Sequence, residues 1–245
     1  MRPFFSYYGG KWRAAPRYPG PVHDTIVEPF AGSAGYSTRY YSRRVILCDI
    51  DPVICGVWRY ILGTTPAEIL ELPDVPDDGT VDDLEVCQEA RWWIGYWLGA
   101  ASMTPRARHS PWSKDPEIRR KRPGKYWGRA LRSAMAKQQP LVAHWELKEG
   151  DYREVLDEIG TATWFVDPPY QGPAGRHYRH DSVDYDALAE WCRTRQGQVI
   201  ACDQQGAEWL PFRWLDYQKT SRSGQRSAEA IWTKGGQGDI FDEVA

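Results

Sequence analysis

The sequence has few cysteines, and none of them is spaced as a cross-linked or metal-binding scaffold requires. Its 245 residues include five widely scattered cysteines, an odd number, without a Cys-x-x-Cys pair. Disulfide frameworks and zinc ribbons need paired cysteines, so we expect reduced, mostly buried thiols. The five histidines also lack ligand spacing. The sequence therefore predicts no metal site.

Long apolar runs are also absent. No stretch approaches the ~18 consecutive apolar residues that a membrane helix needs. The N-terminus reaches Gly9-Gly10-Lys11 before the apolar core of a signal peptide could form. We therefore expect a soluble intracellular protein without a membrane partner. A hydrophobic fraction of 42% is enough for a sizeable core and argues against disorder.

The formal net charge of -2 conceals an uneven distribution of charge. Residues 66–90 contain nine acidic side chains and no Lys or Arg, whereas residues 104–137 contain eleven Lys or Arg and two acidic side chains. An acidic body with one basic segment is typical of proteins that bind an anionic polymer, although a solvated charged face is the simpler interpretation. Trp112, Tyr126 and Trp127 are interleaved with the cations, which favours nucleic acid.

Short apolar runs alternate with helical patterns in both flanks of the chain. Because strands that alternate with helices pair in parallel, we expect an α/β fold with a mostly parallel sheet covered by helices on both faces. The predicted strands are 25–27, 45–48, 145–148, 164–166, 198–201 and 229–232, and the predicted helices are 35–42, 52–62, 152–159 and 185–194.

The middle of the chain lacks this alternation. Residues 57–143 are predicted to form a mainly helical insertion, with its better helices at 86–101 and 125–137. The α/β domain is then discontinuous and consists of residues 1–56 and 144–245.

The first predicted strand leads into a glycine-rich turn, Glu28-Pro29-Phe30-Ala31-Gly32. Such a turn before a helix lets a ligand approach bare backbone beside the helix N-terminus. Ligands of open α/β sheets bind at the carboxyl ends of the strands, where this turn lies. Phe30 occupies a glycine position of the dinucleotide-binding fingerprint, which excludes that fingerprint. A tight turn without a ligand is the alternative.

The second predicted strand ends in Cys48-Asp49-Ile50-Asp51. An acidic residue at a strand tip, about twenty residues after a glycine turn, can accept hydrogen bonds from the ribose hydroxyls of an adenosine group. We assign this role to Asp49, because it follows the apolar run directly. Asp51 precedes Pro52 and is expected to cap the next helix.

The most specific motif is Asp167-Pro168-Pro169-Tyr170, which follows an apolar strand. Two prolines fix φ, remove two backbone donors and favour an extended residue before each of them. The resulting rigid corner presents a carboxylate, a carbonyl and an aromatic ring. These groups suit a flat base with an amino group: Asp167 and the Pro168 carbonyl each accept one N–H, and Tyr170 stacks on the ring. A proline-rich turn with a capping Asp is the alternative.

These motifs, together with the N-terminal Tyr7-Tyr8-Gly9-Gly10-Lys11, give the chain its resemblance to the Dam-type DNA adenine methyltransferases, especially the phage-borne members. The resemblance runs through the whole chain in the order of its motifs. It implies a methyltransferase domain of the Rossmann-like type, an inserted DNA-recognition domain, and a location in the cytoplasm of a bacterium or a phage-infected host cell.

The resemblance also implies S-adenosylmethionine as the methyl donor. The residues that match the family's donor-binding positions are Tyr7, Lys11, Phe30, Gly32, Asp49, Asp167 and, as a secondary candidate, Asp151. The catalytic residues would be Asp167, Pro168 and Tyr170. Asp167 and Pro168 would bind the exocyclic amine of an adenine that has left the duplex stack, and Tyr170 would stack on its ring. In relatives the loop after this motif lies near DNA. The corresponding loop in this chain is residues 171–182, with Arg176, Tyr178 and Arg179. A surface loop with incidental cations is the alternative.

The partner implied is double-stranded DNA. We expect the inserted domain to contact it through Arg119, Arg120, Arg122, Lys125 and Arg129, some of which would read bases and others would contact phosphates.

Three alternatives to this function remain. The acceptor could be the amine of cytosine, although relatives with that activity usually have Ser in place of Asp167; the substrate could be RNA; or the protein could be a DNA-binding module without catalysis.

Overall fold

The computed structural model describes residues 1–171, 182–219 and 226–236, and within them a seven-stranded sheet. Its strands are β1 (Thr25–Glu28), β2 (Arg44–Asp49), β3 (Glu146–Glu149), β4 (Ala162–Val166), β5 (Gly197–Gln204), β6 (Arg213–Lys219) and β7 (Arg226–Lys234). The order is β3-β2-β1-β4-β5-β7-β6. Strands β1 to β5 are parallel, and β7 is antiparallel to β5 and β6. The predicted α/β fold with a mostly parallel sheet is confirmed, and it is compatible with a Rossmann-like fold.

Two hydrophobic cores lie on the two faces of the sheet. Successive side chains of a strand point to opposite faces, so Ile26 and Phe165 belong to one core while Val27 and Trp164 belong to the other. All four side chains are at most 1% exposed. Burial on both faces explains why the central strand β4 shows no polar alternation in the sequence.

Helices cover both faces of this sheet. They are α1 (Pro52–Gly63), α2 (Pro66–Glu71), α3 (Gln88–Gly95), α4 (Pro111–Lys114), α5 (Pro116–Lys121), α6 (Arg129–Gln138), α7 (Tyr152–Val155) and α8 (Tyr185–Thr194). The predicted helices 52–62 and 185–194 are confirmed as α1 and α8. The Asp51 carboxylate accepts a hydrogen bond from the Val53 N–H at 2.8 Å, which confirms the predicted cap.

Other predicted helices are shorter than expected or absent. Residues 35–42 contain only a single 3-10 turn, Ser37–Arg39, because tertiary contacts fix this segment: Tyr36 stacks on Phe165 with 4.3 Å between ring centroids. The predicted helix 86–101 ends at Gly95, where the Gly95 carbonyl accepts a hydrogen bond from the Arg106 N–H. The predicted helix 125–137 begins only at Arg129, because Gly128 has a φ of 150°. The predicted helix 152–159 is the short α7.

The predicted insertion is continuous with the rest of the chain at its first boundary. Helix α1 runs without a break through residues 56 and 57, so this boundary does not coincide with the end of an element. Trp58 of α1, Trp93 of α3 and Phe165 of β4 share one hydrophobic core. The division into a catalytic and a recognition domain stays a prediction.

The cysteines are all free thiols. Four of them are buried and Cys87 is exposed, as the sequence analysis expected for most of them. Within the described ranges, no helix has the length and apolar character that crossing a bilayer requires.

Candidate active site

A cavity of about 310 Å³ opens at the carboxyl ends of β1, β2, β3 and β4. This size lies at the lower end of the range for small-molecule sites, about 300–1,000 Å³. The cavity lies where the strand order reverses between β1 and β4, the usual ligand position in an open α/β sheet. Its lining includes all seven residues predicted to bind the methyl donor: Tyr7, Lys11, Phe30, Gly32, Asp49, Asp151 and Asp167.

Two glycines allow the N-terminal segment to lie directly over the glycine turn. Gly32 has a φ of 45°, and a Cβ there would lie 3.1 Å from the Tyr7 ring. A Cβ on Gly35 would lie 2.5 Å from the backbone nitrogen of Trp12, closer than van der Waals contact permits. The close approach at these glycines brings Lys11 to the strand ends.

Asp49, the last residue of β2, forms a hydrogen bond with the glycine turn that follows β1. Its carboxylate accepts hydrogen bonds from the backbone N–H groups of Gly32 at 3.0 Å and Asp51 at 2.9 Å. Burial raises the pKa of Asp49 to about 6, although these hydrogen bonds oppose the shift. Each carboxylate oxygen has two lone pairs, so both oxygens can still accept a hydrogen bond from a ligand hydroxyl.

Phe30 and Asp151 line another part of the cavity. The Phe30 ring contacts Tyr152 with 5.2 Å between centroids. Asp151 accepts a hydrogen bond from the guanidinium of Arg153 at 2.6 Å, and this bond lowers the pKa of Asp151. An aromatic ring beside an ionised carboxylate suits a ligand with a flat ring and polar edge groups.

Lys11 and Asp167 form a largely buried ion pair within the cavity. The Lys11 Nζ lies 2.7 Å from Asp167 Oδ1, and the two side chains are 6% and 19% exposed. Burial raises the pKa of Asp167 to about 6; Lys11 opposes this shift and the nearby Glu229 adds to it. Asp167 is therefore ionised near neutral pH, and Lys11 contributes to keeping it so.

The rest of the Asp-Pro-Pro-Tyr corner is tied to its surroundings. The hydroxyl of Tyr185 donates a hydrogen bond to the Pro169 carbonyl at 2.7 Å. Within the described residues, no hydrogen bond uses the Pro168 carbonyl. The Tyr170 hydroxyl donates to Glu229, and the Lys11 Nζ lies 4.5 Å from the centroid of the Tyr170 ring. One face of that ring is therefore covered by the ammonium, and neither Pro168 nor Tyr170 is among the residues that line the cavity.

Two buried carboxylates of this region were missed by the sequence analysis as site residues. Glu28 lines the cavity, accepts a hydrogen bond from the Ser37 N–H at 2.7 Å, and has its pKa raised to about 8 by burial. Its position before Pro29 in the glycine turn could have identified it. Glu229 lies on β7, far along the chain, in a predicted strand without any motif. No local signal identifies Glu229.

The predicted DNA-contacting residues fall into two groups. Arg119 is half-buried and lies 2.8 Å from Asp77 of the acidic segment. Arg132, which also belongs to the basic segment but was not one of the predicted contacts, pairs with Asp74. Arg120, Arg122, Lys125 and Arg129 are exposed, and no carboxylate of the described chain forms an ion pair with them. Arg122 and Arg129 line a second cavity of about 280 Å³.

Only one of the three aromatic side chains in the basic segment is available at the surface. Trp112 is 67% exposed, whereas Tyr126 and Trp127 are each 6% exposed and belong to the interior. Tyr126 and Trp127 therefore present little surface on which a base could stack, although both line the second cavity. Arg176, Tyr178 and Arg179, predicted near DNA, lie outside the described residues.

Among the described residues, no group of three or more His, Cys, Asp or Glu side chains is arranged to hold a metal ion. No protein-family model matches the chain, and no curated protein shows significant similarity to it. The fold, the cavity and the charges within it are therefore the observations from which a function can be argued.

Proposed function

We propose that the protein is a DNA methyltransferase that transfers a methyl group from S-adenosylmethionine to the exocyclic amine of adenine in double-stranded DNA. The observation that supports this proposal best is the convergence of four separate sequence motifs on one cavity. Tyr7 and Lys11, the glycine turn, Asp49 and the Asp-Pro-Pro-Tyr corner are far apart in the sequence and line the same 310 Å³ space or its edge.

The residues of the cavity fit the proposed donor. Its lining includes six acidic side chains, Glu28, Asp49, Asp51, Asp151, Asp167 and Asp184, but only two cations, Lys11 and Arg153. Burial raises the pKa of Glu28 to about 8, so Glu28 is protonated near neutral pH, and the remaining acidic side chains still outnumber the cations. When bound, S-adenosylmethionine supplies an electrophilic methyl group on a positively charged sulfur, and the excess of carboxylates favours that charge. Asp49 would hold the ribose hydroxyls, and Phe30 would lie against the adenine of the donor.

Asp167 and Pro168 would prepare the acceptor amine. The lone pair of an exocyclic adenine nitrogen is delocalised into the ring, which makes the nitrogen a poor nucleophile. Hydrogen bonds from both of its N–H groups to Asp167 and to the unused Pro168 carbonyl favour a pyramidal nitrogen with a localised lone pair. The N–C bond would then form as the bond between the methyl carbon and the sulfonium sulfur breaks, so that the donor would leave as the neutral thioether S-adenosylhomocysteine, and a proton would leave the nitrogen afterwards. The contribution of the protein is positioning and electrostatics.

Lys11 and Tyr170 would support this arrangement from the two sides of the corner. Lys11 keeps Asp167 ionised and hence able to accept a hydrogen bond. The base would stack on the face of Tyr170 opposite Lys11, after it leaves the duplex at a cost of a few kcal/mol. The exposed cations Arg120, Arg122 and Lys125 would contact the phosphates of the duplex.

The direct test is the transfer of labelled methyl groups from S-adenosylmethionine to duplex DNA. We expect incorporation with the wild type and its loss in Asp167→Ala, while Asp157→Ala, a matched change of an exposed aspartate, keeps wild-type activity. Digestion of the product to nucleosides distinguishes methyladenine from methylcytosine, and a single-stranded RNA substrate tests the RNA alternative. Equal incorporation by the wild type and Asp167→Ala would contradict the proposed mechanism.

A further inference from the structure

Glu229 is a buried carboxylate that reaches the Asp-Pro-Pro-Tyr corner from the antiparallel part of the sheet. It is 2% exposed and lies on β7, opposite Gln204 at the end of β5. A buried carboxylate costs several kcal/mol unless it is paired and hydrogen-bonded. Its partners therefore indicate why the residue is there.

Among the described residues, the side-chain contacts of Glu229 include Lys11 and Tyr170 of the proposed site. Its Oε1 accepts hydrogen bonds from the hydroxyls of Tyr18, at 2.7 Å, and Tyr170. The Lys11 Nζ lies 3.8 Å from the same oxygen and 2.7 Å from Asp167. Lys11 thus bridges Glu229 and Asp167, while Glu229 holds the aromatic ring of the corner.

We propose that Glu229 is a positioning residue of the active site, which fixes the Tyr170 ring and, through Lys11, the carboxylate of Asp167. This inference rests on the proposed methyltransferase function, because Asp167 and Tyr170 are its reacting-base contacts. Glu229 touches neither the donor nor the base in this account. Its effect passes through the two side chains that it holds.

A purely structural role would leave the titration of Asp167 unchanged, and the proposed role would not. The titratable groups facing Asp167 come from several elements of the fold: Lys11, Tyr18, Glu28, Tyr170, Cys202, Asp203 and Glu229. Among them, Glu229 raises the pKa of Asp167 and Lys11 lowers it. Removal of the Glu229 charge should therefore lower the pKa of Asp167 and extend activity to lower pH.

The test compares Glu229→Gln, Glu229→Ala and the wild type in methyl transfer to duplex DNA. Glutamine keeps an oxygen that can accept both tyrosine hydrogen bonds, so this variant removes only the charge. We expect the acidic midpoint of its kcat/KM profile, which reports the free enzyme, to fall by at least about 0.5 pH unit. In Glu229→Ala, the loss of the ring support should lower kcat about 10- to 100-fold.

The same experiment includes its controls. Glu208→Gln makes the matched charge change at an exposed glutamate and should leave both quantities at wild-type values. The kcat is expressed per donor-binding site, measured by calorimetric titration, so unfolded protein does not contribute. The donor KM should stay within about threefold of wild type, since the effect is on the acceptor side.

The possible outcomes separate the two proposals. An unchanged acidic midpoint in Glu229→Gln overturns the action of Glu229 on Asp167 through Lys11, and a wild-type kcat in Glu229→Ala overturns its support of the Tyr170 ring. The methyltransferase function stands in both cases. Absence of methyl transfer by the wild type overturns the proposed function and, with it, this inference.

Discussion

The cavity at the strand ends and the basic segment 104–137 both concentrate charge, but the charges have different surroundings. In the cavity, six acidic side chains lie beside two cations, and burial raises the pKa values of Glu28, Asp49 and Asp167. In the basic segment, Arg119 and Arg132 pair with acids of residues 66–90, and the other predicted DNA contacts are exposed. Opposite charges are therefore coupled inside the cavity, whereas the basic segment combines structural ion pairs with solvated cations.

This difference shows what a charge pattern in a sequence can predict. A run of cations does not distinguish an arginine that binds a partner from one that holds two segments together. A motif such as Asp-Pro-Pro-Tyr is more informative, because its backbone restrictions act within four residues. The predictions below test the contrast, beginning with the buried pair.

The largest effect on the free energy of unfolding is expected from the substitution Lys11→Met. This change leaves Asp167 and Glu229 without their shared cation, and an unpaired buried charge typically costs about 3–5 kcal/mol of unfolding free energy. Lys11 also lowers the pKa of Asp167, so its loss should raise that pKa and move the acidic limb of activity to higher pH. Urea denaturation and pH–rate profiles measure these effects. Wild-type stability in the variant would show that the pair contributes little.

Asp167→Asn should lower the kcat of methyl transfer about 10²–10³-fold, the size of effect typical for loss of one preorganised polar contact to a transition state. The amide removes the charge while it preserves the shape of the corner. Donor affinity, measured by isothermal titration calorimetry, should fall less than kcat, because Asp49 and Phe30 would still bind the donor when the contribution of Asp167 is lost. Near-wild-type turnover with methyladenine as the product would contradict the role assigned to Asp167.

Glu28→Gln should alter how stability depends on pH. Burial raises the folded-state pKa of Glu28 to about 8, above its ordinary value, so the folded state retains a proton that the unfolded state loses. The associated stability is present at low pH and is lost as the pH rises towards 8, with a slope of up to about 1.4 kcal/mol per pH unit. Urea unfolding at pH 5.5 and pH 8 should show a smaller difference in the variant. An equal difference in both proteins would contradict the assignment.

The smallest effects on stability are expected in the basic segment, where two double variants separate the two kinds of cation. Arg122→Ala/Arg129→Ala should weaken DNA binding and reduce its salt slope by about 2, with stability unchanged. Arg119→Ala/Arg132→Ala breaks the pairs with Asp77 and Asp74 and should cost about 0.2–1 kcal/mol per pair.

Fluorescence anisotropy at several salt concentrations and thermal unfolding measure both sets of quantities. The contrast fails if the two double variants lose affinity and stability to the same extent.

Part of the fold and of the candidate site could be predicted because it depends on local sequence. The parallel strands follow from apolar runs, and α1 begins at Pro52 because Asp51 caps it. The convergence of Asp49, the glycine turn and Asp167 follows from their shared position at the ends of parallel strands. Helix ends were less predictable: Gly95 ends α3 because the backbone of Arg106 lies against it.

The sequence by itself determined the alternation of strands and helices and the residues at the strand ends, because periodicity, capping and proline restrictions act over a few residues. Only the tertiary structure decided which charges meet. Glu229 reaches Lys11 and Tyr170 across 218 and 59 residues of chain, through the antiparallel pairing of β7 with β5. Trp127, which resembles a surface residue among its cationic neighbours, is buried because the core that contains it is completed by elements distant in sequence.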